Sequence, residues 1–211
     1  PKAVPVTELP DEIATLTIGM YGKMDFYDIK GILEQLFEVL GMTDKVDFTT
    51  EKNIAWMHPG RTASVSAEGK NFGYVGELHP QIAANYGIST KVYIAVIDMP
   101  ALVEYSNLVS VYQPLPKFPA ITRDIAMVVK QEVTVKEIET VIKKYAGQYL
   151  ESVMLFDVYQ GKQIGEGLKS VAYSITFRAA ERTLVDKDVT EAMKQILDGL
   201  SKEVQAQLRE K

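Results

Sequence analysis

Apolar and polar positions follow two rhythms along this chain, one of period two and one near 3.6, and the switches between them mark its elements. Residues 14–20 are rich in β-branched side chains and read as a strand. After it Ile29, Ile32, Leu33, Leu36, Phe37 and Leu40 recur at helical spacing. Asp25 is placed to cap that helix, Asp28 stands at its third position to complete a capping box, and Gly41 stops it. A short strand is expected at 46–49. Over residues 61–67, Ala63, Val65 and Ala67 alternate with Thr62, Ser64 and Ser66. The turn Glu68-Gly69-Lys70 then returns the chain through 72–78, which makes a hairpin and implies an antiparallel sheet. A short helix at 80–86 and a buried strand at 92–97 end this part. Its few helices for so many strands suit an incomplete α+β unit.

Pro114, Pro116 and Pro119 stand within six residues, which excludes a helix and deprives a strand of donors. The expected division is therefore 1–113, a linker at 114–118, and 119–211. The second part predicts a strand at 125–129, then a T-x-x-E capping box at Thr134 and Glu137. The box opens a helix with Ile138, Val141, Ile142 and Tyr145 inward and Gly147 at its end. Strands at 153–159 and 169–178 are joined by a glycine-rich connection. A helix from about Asp188 puts Val189, Met193, Ile196, Leu197, Leu200 and Val204 on one face, and 206–209 adds a last short strand. The order βαββαβ is that of the ferredoxin-like split βαβ, in which both helices cover one face of a four-stranded antiparallel sheet and the other stays open. The fold class expected is α+β throughout.

Strand alternation assigns the faces of that sheet. Val171, Tyr173, Ile175 and Phe177 go to the helices, turning Ser170, Ala172, Ser174, Thr176 and Arg178 outward. On the preceding strand Phe156 and Val158 are expected in the core, with Val153, Leu155, Asp157 and Tyr159 on the open face. An aromatic ring beside an acceptor and hydroxyls suits an unstacked base, since the ring supplies a stacking platform and the polar groups meet the base edge. The plain alternative is a Tyr159 covered by a loop. Arg178 and Arg182, in a run of alternating charge, are candidate phosphate contacts or simply a solvated helix start.

Other motifs fail on spacing. Gly161, Gly165 and Gly167 lie in GKQIGEGLKS, but Leu168 separates the last glycine from Lys169 and a strand follows, so this is a turn and not a phosphate-binding loop. His58 and His79 each precede a proline, without a second ligand at helical spacing, and read as turn residues and not as a zinc site. Glu77 and His79 would make an acid/base pair with no recognisable nucleophile beside it.

Charge changes the picture modestly. Residues 1–115 carry 8 Lys+Arg against 14 Asp+Glu and residues 116–211 carry 15 against 14, so an acidic half adjoins a balanced one. That is no basic field for non-specific nucleic-acid binding, and any RNA contact must be local. The chain has no cysteine, which removes disulfides and thiolate chemistry. No apolar run nears the roughly 20 residues of a membrane span, so a soluble, cytoplasmic protein without membrane contact is expected. Beginning at Pro1, it reads as a piece of something longer.

The motifs assembled above resemble a specific family. KFPAITRDIAMVV, the capped helix ending in AG, LFDVYQG, GLKSVAYSITFR, ERTLVDKDV and the terminal QLRE are similar to the ferredoxin-fold anticodon-binding domain of bacterial phenylalanyl-tRNA synthetase β subunits. DFYDIKGILE, HPGRTA and GYVGELHP resemble the preceding, degenerate class II synthetase-like domain of the same family. The similarity runs over about residues 20–211. It implies phenylalanine tRNA and the synthetase α subunit as partners, in a heterotetramer whose catalytic centre lies on α, while the chain alone would be a monomer. ATP and magnesium serve the parent complex, and no cofactor, metal or catalytic residue is implied for these residues. After GELHP, where catalytic relatives carry a glycine-rich motif with an ATP-binding arginine, residues 91–99 read KVYIAVIDM. A triphosphate lacks its cationic clamp there. In the family the first anticodon base is met by an Asp and a Tyr of an F-D-x-Y-x-G strand and by the Ser opening the next strand, which map onto Asp157, Tyr159 and Ser170. Two rivals stay open. One is a structural interaction module, and the other a small ferredoxin-like enzyme such as an acylphosphatase, whose arginine- and glycine-bearing loop would fall at 130–134, where neither residue occurs.

Overall fold

A computed structural model describes residues 12–109, 111–112, 114–161 and 164–209. The chain divides into two compact units, residues 1–112 and 113–211. In the first, β1 (Thr15–Tyr21), β2 (Val46–Thr50), β3 (Met57–Ala67), β4 (Lys70–Leu78) and β5 (Val92–Asp98) form an antiparallel sheet in the order β1-β5-β4-β3-β2. Helix α1 (Phe26–Val39) packs Ile29, Leu33 and Phe37 into a core with Val65, Val75, Ala95 and Ile97. Its capping box forms as expected. The Asp25 carboxylate accepts from the Tyr27 amide at 2.7 Å, and the Asp28 carboxylate accepts from the Asp25 amide at 2.6 Å. At the other end Gly41 takes φ +66°, and a Cβ there would run into the Asn107 carbonyl, so the stop needs glycine for two reasons.

Strand β3 starts four residues before the expected strand. It carries Pro59 by breaking register between Met57 and Thr62, an irregularity that spares the ladder the missing donor. Helices α2 (Pro80–Asn85) and α3 (Met99–Tyr105) complete the unit. No periodicity announces so short a helix as α3. It is started locally, by the Asp98 carboxylate accepting from the Ala101 amide at 2.8 Å, with proline in the first turn.

The second unit has the expected order: β6 (Ile121–Lys130), α4 (Val135–Tyr145), β7 (Leu150–Tyr159), β8 (Leu168–Phe177), α5 (Asp186–Val204) and β9 (Gln207–Leu208). The antiparallel sheet runs β7-β8-β6-β9. Thr134 and Glu137 cap α4 reciprocally, the Thr134 hydroxyl accepting from the Glu137 amide at 3.2 Å and the Glu137 carboxylate from the Thr134 amide at 2.6 Å. Ile138, Val141 and Ile142 of α4 and Val189, Ile196 and Leu200 of α5 share one core with Ile125, Met127, Val129, Val171, Tyr173, Ile175 and Phe177. Both helices therefore cover the same sheet face.

Tyr173 is wholly buried in this core, and its hydroxyl has no hydrogen-bond partner among the described residues. Burial pushes its ionisation far above the ordinary phenol range. Tyr173→Phe is expected to leave stability unchanged or raise it by about 1 kcal/mol, because the ring contacts survive and a desolvated hydroxyl is removed. Exchange protection of the β8 amides, which open with the core of this unit, checks this. Weaker protection than in the parent would mean that the hydroxyl is satisfied after all.

Candidate nucleic-acid interface

Pairing across an antiparallel ladder puts opposed side chains on the same face, so the register between β7 and β8 assigns every residue of the edge strand. Val153 opposes Ile175 and Leu155 opposes Tyr173, which places both on the helix side. A register shift then falls between Leu155 and Asp157, and beyond it Asp157 opposes Ala172, Val158 opposes Val171 and Tyr159 opposes Ser170. Asp157, Tyr159 and Ser170 thus share the open face. The expected outward placement of Val153 and Leu155 is corrected: both pack against the core. Phe156, expected in the core, is the unpaired residue at the shift and is 54% exposed. Val158 lies on the helix side but is 46% exposed at the sheet edge. A bulge inserts one residue into a period of two and so inverts every assignment on its far side.

The open face is continued by Ser152 and Met154 of β7, Leu168, Ala172, Ser174 and Thr176 of β8, and Thr122, Asp124, Ala126, Val128 and Lys130 of β6. Sequence reasoning did not reach the β6 members. Alternation around Ile125, Met127 and Val129 signals Ala126 and Val128, whereas Thr122 and Asp124 precede the expected start of the strand. Among all these positions stand two carboxylates, Asp124 and Asp157, and one cation, Lys130, at the end of β6 opposite Leu168. With one cation against two carboxylates, such a face attracts a run of phosphates only weakly. It offers acceptors, hydroxyls and one large ring, which is chemistry for base edges and base planes. Tyr159 is 39% exposed while Ser170 opposite it is only 4% exposed, so the ring is the accessible member of the pair.

Arg178 and Arg182 are engaged within the protein. Arg178 donates from Nε to the Glu151 carboxylate at 2.9 Å and from Nη1 to the Phe118 carbonyl at 2.5 Å. Arg182 donates to the Asp188 carboxylate at 2.7 Å and to the Tyr149 hydroxyl at 3.3 Å, with its guanidinium 5.5 Å from the Tyr149 ring centroid. The Arg182 bond holds the Asp188 carboxyl below the usual range, helped by the Val185 amide. Ser170 and Arg178 are eight residues apart on one extended run, or about 26 Å at the usual strand rise. Arg178 and Tyr159 therefore stand toward opposite ends of β8.

The other candidates resolve into structure. His58 accepts from the Gly60 amide at 3.0 Å and His79 from the Gln81 amide at 3.2 Å, each through Nδ1, as turn and cap residues. Glu77 is buried and accepts from Arg61 at 2.6 Å and from the Tyr93 hydroxyl at 3.3 Å. Burial, with Glu77 beside it, raises the Tyr93 ionisation. Among the described residues no cluster of three or more His, Asp or Glu is placed to hold a metal, and no helix is long and apolar enough to cross a membrane.

Comparison with known proteins decides what these two units are. Residues 116–209 match the ferredoxin-fold anticodon binding domain, and residues 2–99 match the phenylalanyl tRNA synthetase beta chain CLM domain. The phenylalanine–tRNA ligase beta subunit of Clostridium acetobutylicum is 43% identical over 96% of this chain, and that of Clostridium tetani 44% identical over 95%. The chain belongs to the phenylalanine–tRNA ligase β-subunit family. The corresponding subunit of Listeria monocytogenes is 39% identical over 88% of the chain. In each case the chain spans about a quarter of the relative's length: 25% for both clostridial proteins and 23% for the Listeria one. The family match also begins at residue 2, well before the motifs that carry the resemblance in the sequence.

Proposed function

We propose that this chain carries the anticodon-reading part of a phenylalanine–tRNA ligase β subunit, and that Asp157, Tyr159 and Ser170 meet the first anticodon base. One observation carries the reading: the bulged β7–β8 register gathers these three side chains on the sheet face opposite α4 and α5. Tyr159 supplies the stacking plane and Asp157 an exposed acceptor at the base edge, and the Ser170 hydroxyl, 4% exposed in the chain alone, joins them only where the base comes down onto the sheet beside the ring. A face with two carboxylates and the single cation Lys130 favours an unstacked base over a phosphate run, which suits recognition of a splayed loop. Phosphate contacts fall to Arg178 and Arg182 at the far rim, through the parts of their guanidinium groups that remain exposed. The first unit supports assembly with the synthetase α subunit, where the catalysis of the parent heterotetramer belongs. A ligase β subunit works in the cytoplasm, and ATP and magnesium are used by the parent complex, not by this chain.

Titrating the full 211-residue chain with phenylalanine tRNA, and with the same tRNA changed only at its first anticodon base, tests the reading. Each mismatched contact to a base edge is worth roughly 1–3 kcal/mol, so about a tenfold preference for the unchanged tRNA is expected. Equal affinity for the two would favour a structural module whose open face meets protein. The acylphosphatase-like reading lacks support: the loop after β6 joins Gln131 to the Gly167 carbonyl at 2.8 Å and contains no arginine.

A further inference from the structure

Two residues beyond Tyr159 the chain reaches Gly161, at the start of the β7–β8 connection, where its carbonyl accepts from the Ile164 amide at 3.0 Å. Unlike Gly165 and Gly167 in the same connection, Gly161 does not occupy the left-handed region, so its backbone would accept any residue. The demand for glycine comes instead from space. A Cβ at position 161 would lie 2.7 Å from Cζ and 3.1 Å from Cε1 of Tyr159, with the phenolic oxygen nearer still. Carbon atoms in contact stay roughly 3.5–4.0 Å apart, so the phenolic end of Tyr159 rests directly on the backbone of Gly161.

We propose that Gly161 is a positioning residue for base recognition, holding the Tyr159 ring in its binding orientation by offering a bare backbone on which its phenolic end lies. The proposal rests on the reading of Tyr159 as the stacking ring. A partly exposed tyrosine at the end of an edge strand has rotamer freedom that must be lost when a base stacks on it. A ring already seated on Gly161 has lost that freedom beforehand, which is the gain of preorganisation. A methyl group at position 161 meets only the far end of a side chain. Tyr159 can therefore swing away without moving β7 or β8, and the fold tolerates the change while the platform does not. The same geometry gives the glycine of LFDVYQG a role distinct from turn formation.

The test uses four versions of the full chain: parent, Tyr159→Ala, Gly161→Ala and the double variant. Each is titrated with phenylalanine tRNA and checked by thermal unfolding. Gly161→Ala should unfold within a degree or two of the parent, since an alanine at ordinary φ removes unfolded-state freedom and offsets small losses. Its affinity should fall by about tenfold, within the range expected for losing one stacked base. In the Tyr159→Ala background Gly161→Ala should have no further effect, because the ring it would displace is gone. Tyrosine ring signals of the free protein, assigned through Tyr159→Phe, should shift at Tyr159 on Gly161→Ala. If Tyr159→Ala weakens binding while Gly161→Ala leaves affinity and ring signal as in the parent, the positioning role is overturned and the stacking reading stands. Equal loss from Gly161→Ala in both backgrounds also overturns it, since the glycine would then act independently of the ring. If Tyr159→Ala binds as the parent does, the stacking reading itself fails and takes the positioning role with it.

Discussion

Phe177→Ala should destabilise the second unit by about 3–5 kcal/mol, while Phe156→Ala should cost no more than about 1 kcal/mol. The two phenylalanines lie on adjacent strands, and sequence alternation places both in the core. Phe177 is wholly buried among Leu150, Ile121 and the residues packed beneath the helices, so its removal leaves a cavity in a close-packed interior. Phe156 stands at the bulge of the edge strand, more than half exposed, and its removal mostly exchanges one solvated surface for another. Because the chain has two units, a single melting curve does not isolate this effect. Exchange protection of β8 amides reads it directly, since those protons open with the core of the second unit. If Phe156→Ala proved as costly as Phe177→Ala, the bulge would be misplaced, and with it the shared face of Asp157, Tyr159 and Ser170.

Tyr159→Ala should weaken binding of phenylalanine tRNA by roughly 1–3 kcal/mol, a loss of about 5- to 150-fold, and Tyr159→Phe should retain most of the affinity. The ring face is what stacks, and phenylalanine keeps it. Folding should be little affected by either change, because Tyr159 is 39% exposed and lies outside the core of the unit. Equilibrium titration of variants with parent-like unfolding measures the effect. An unchanged affinity for Tyr159→Ala, in a chain that binds tRNA at all, would move the structural-module reading ahead. Arg182→Ala makes an instructive contrast. Its guanidinium joins the Asp188 carboxylate at the start of α5 to the Tyr149 hydroxyl, so that substitution disturbs a helix terminus as well as any phosphate contact.

What the sequence determined by itself was local. Both capping boxes, Asp25 with Asp28 and Thr134 with Glu137, are legible because donor and acceptor lie three residues apart and need no partner from elsewhere. The stop at Gly41, the hairpin turn at Gly69 and the βαββαβ order are legible for the same reason: turn chemistry and periodicity belong to short windows. The alternation that sends Asp157 and Tyr159 to the open face, with Val158 between them on the helix side, holds as far back as the bulge. Only the tertiary structure decided what lies beyond it. One extra residue between Leu155 and Asp157 sends Val153 and Leu155 inward and leaves Phe156 outside, and nothing in the side chains of 153–157 marks the insertion. Its position is set by hydrogen bonding to β8, a strand that arrives some ten residues later in the chain. The same holds for Arg178 and Arg182, whose charges look free in the sequence. They are tied to Glu151, Phe118 and Asp188 because the fold brings those acceptors to them. A pattern of residues specifies what each segment prefers; which face it shows depends on its neighbour's register, and that is a property of the assembled sheet.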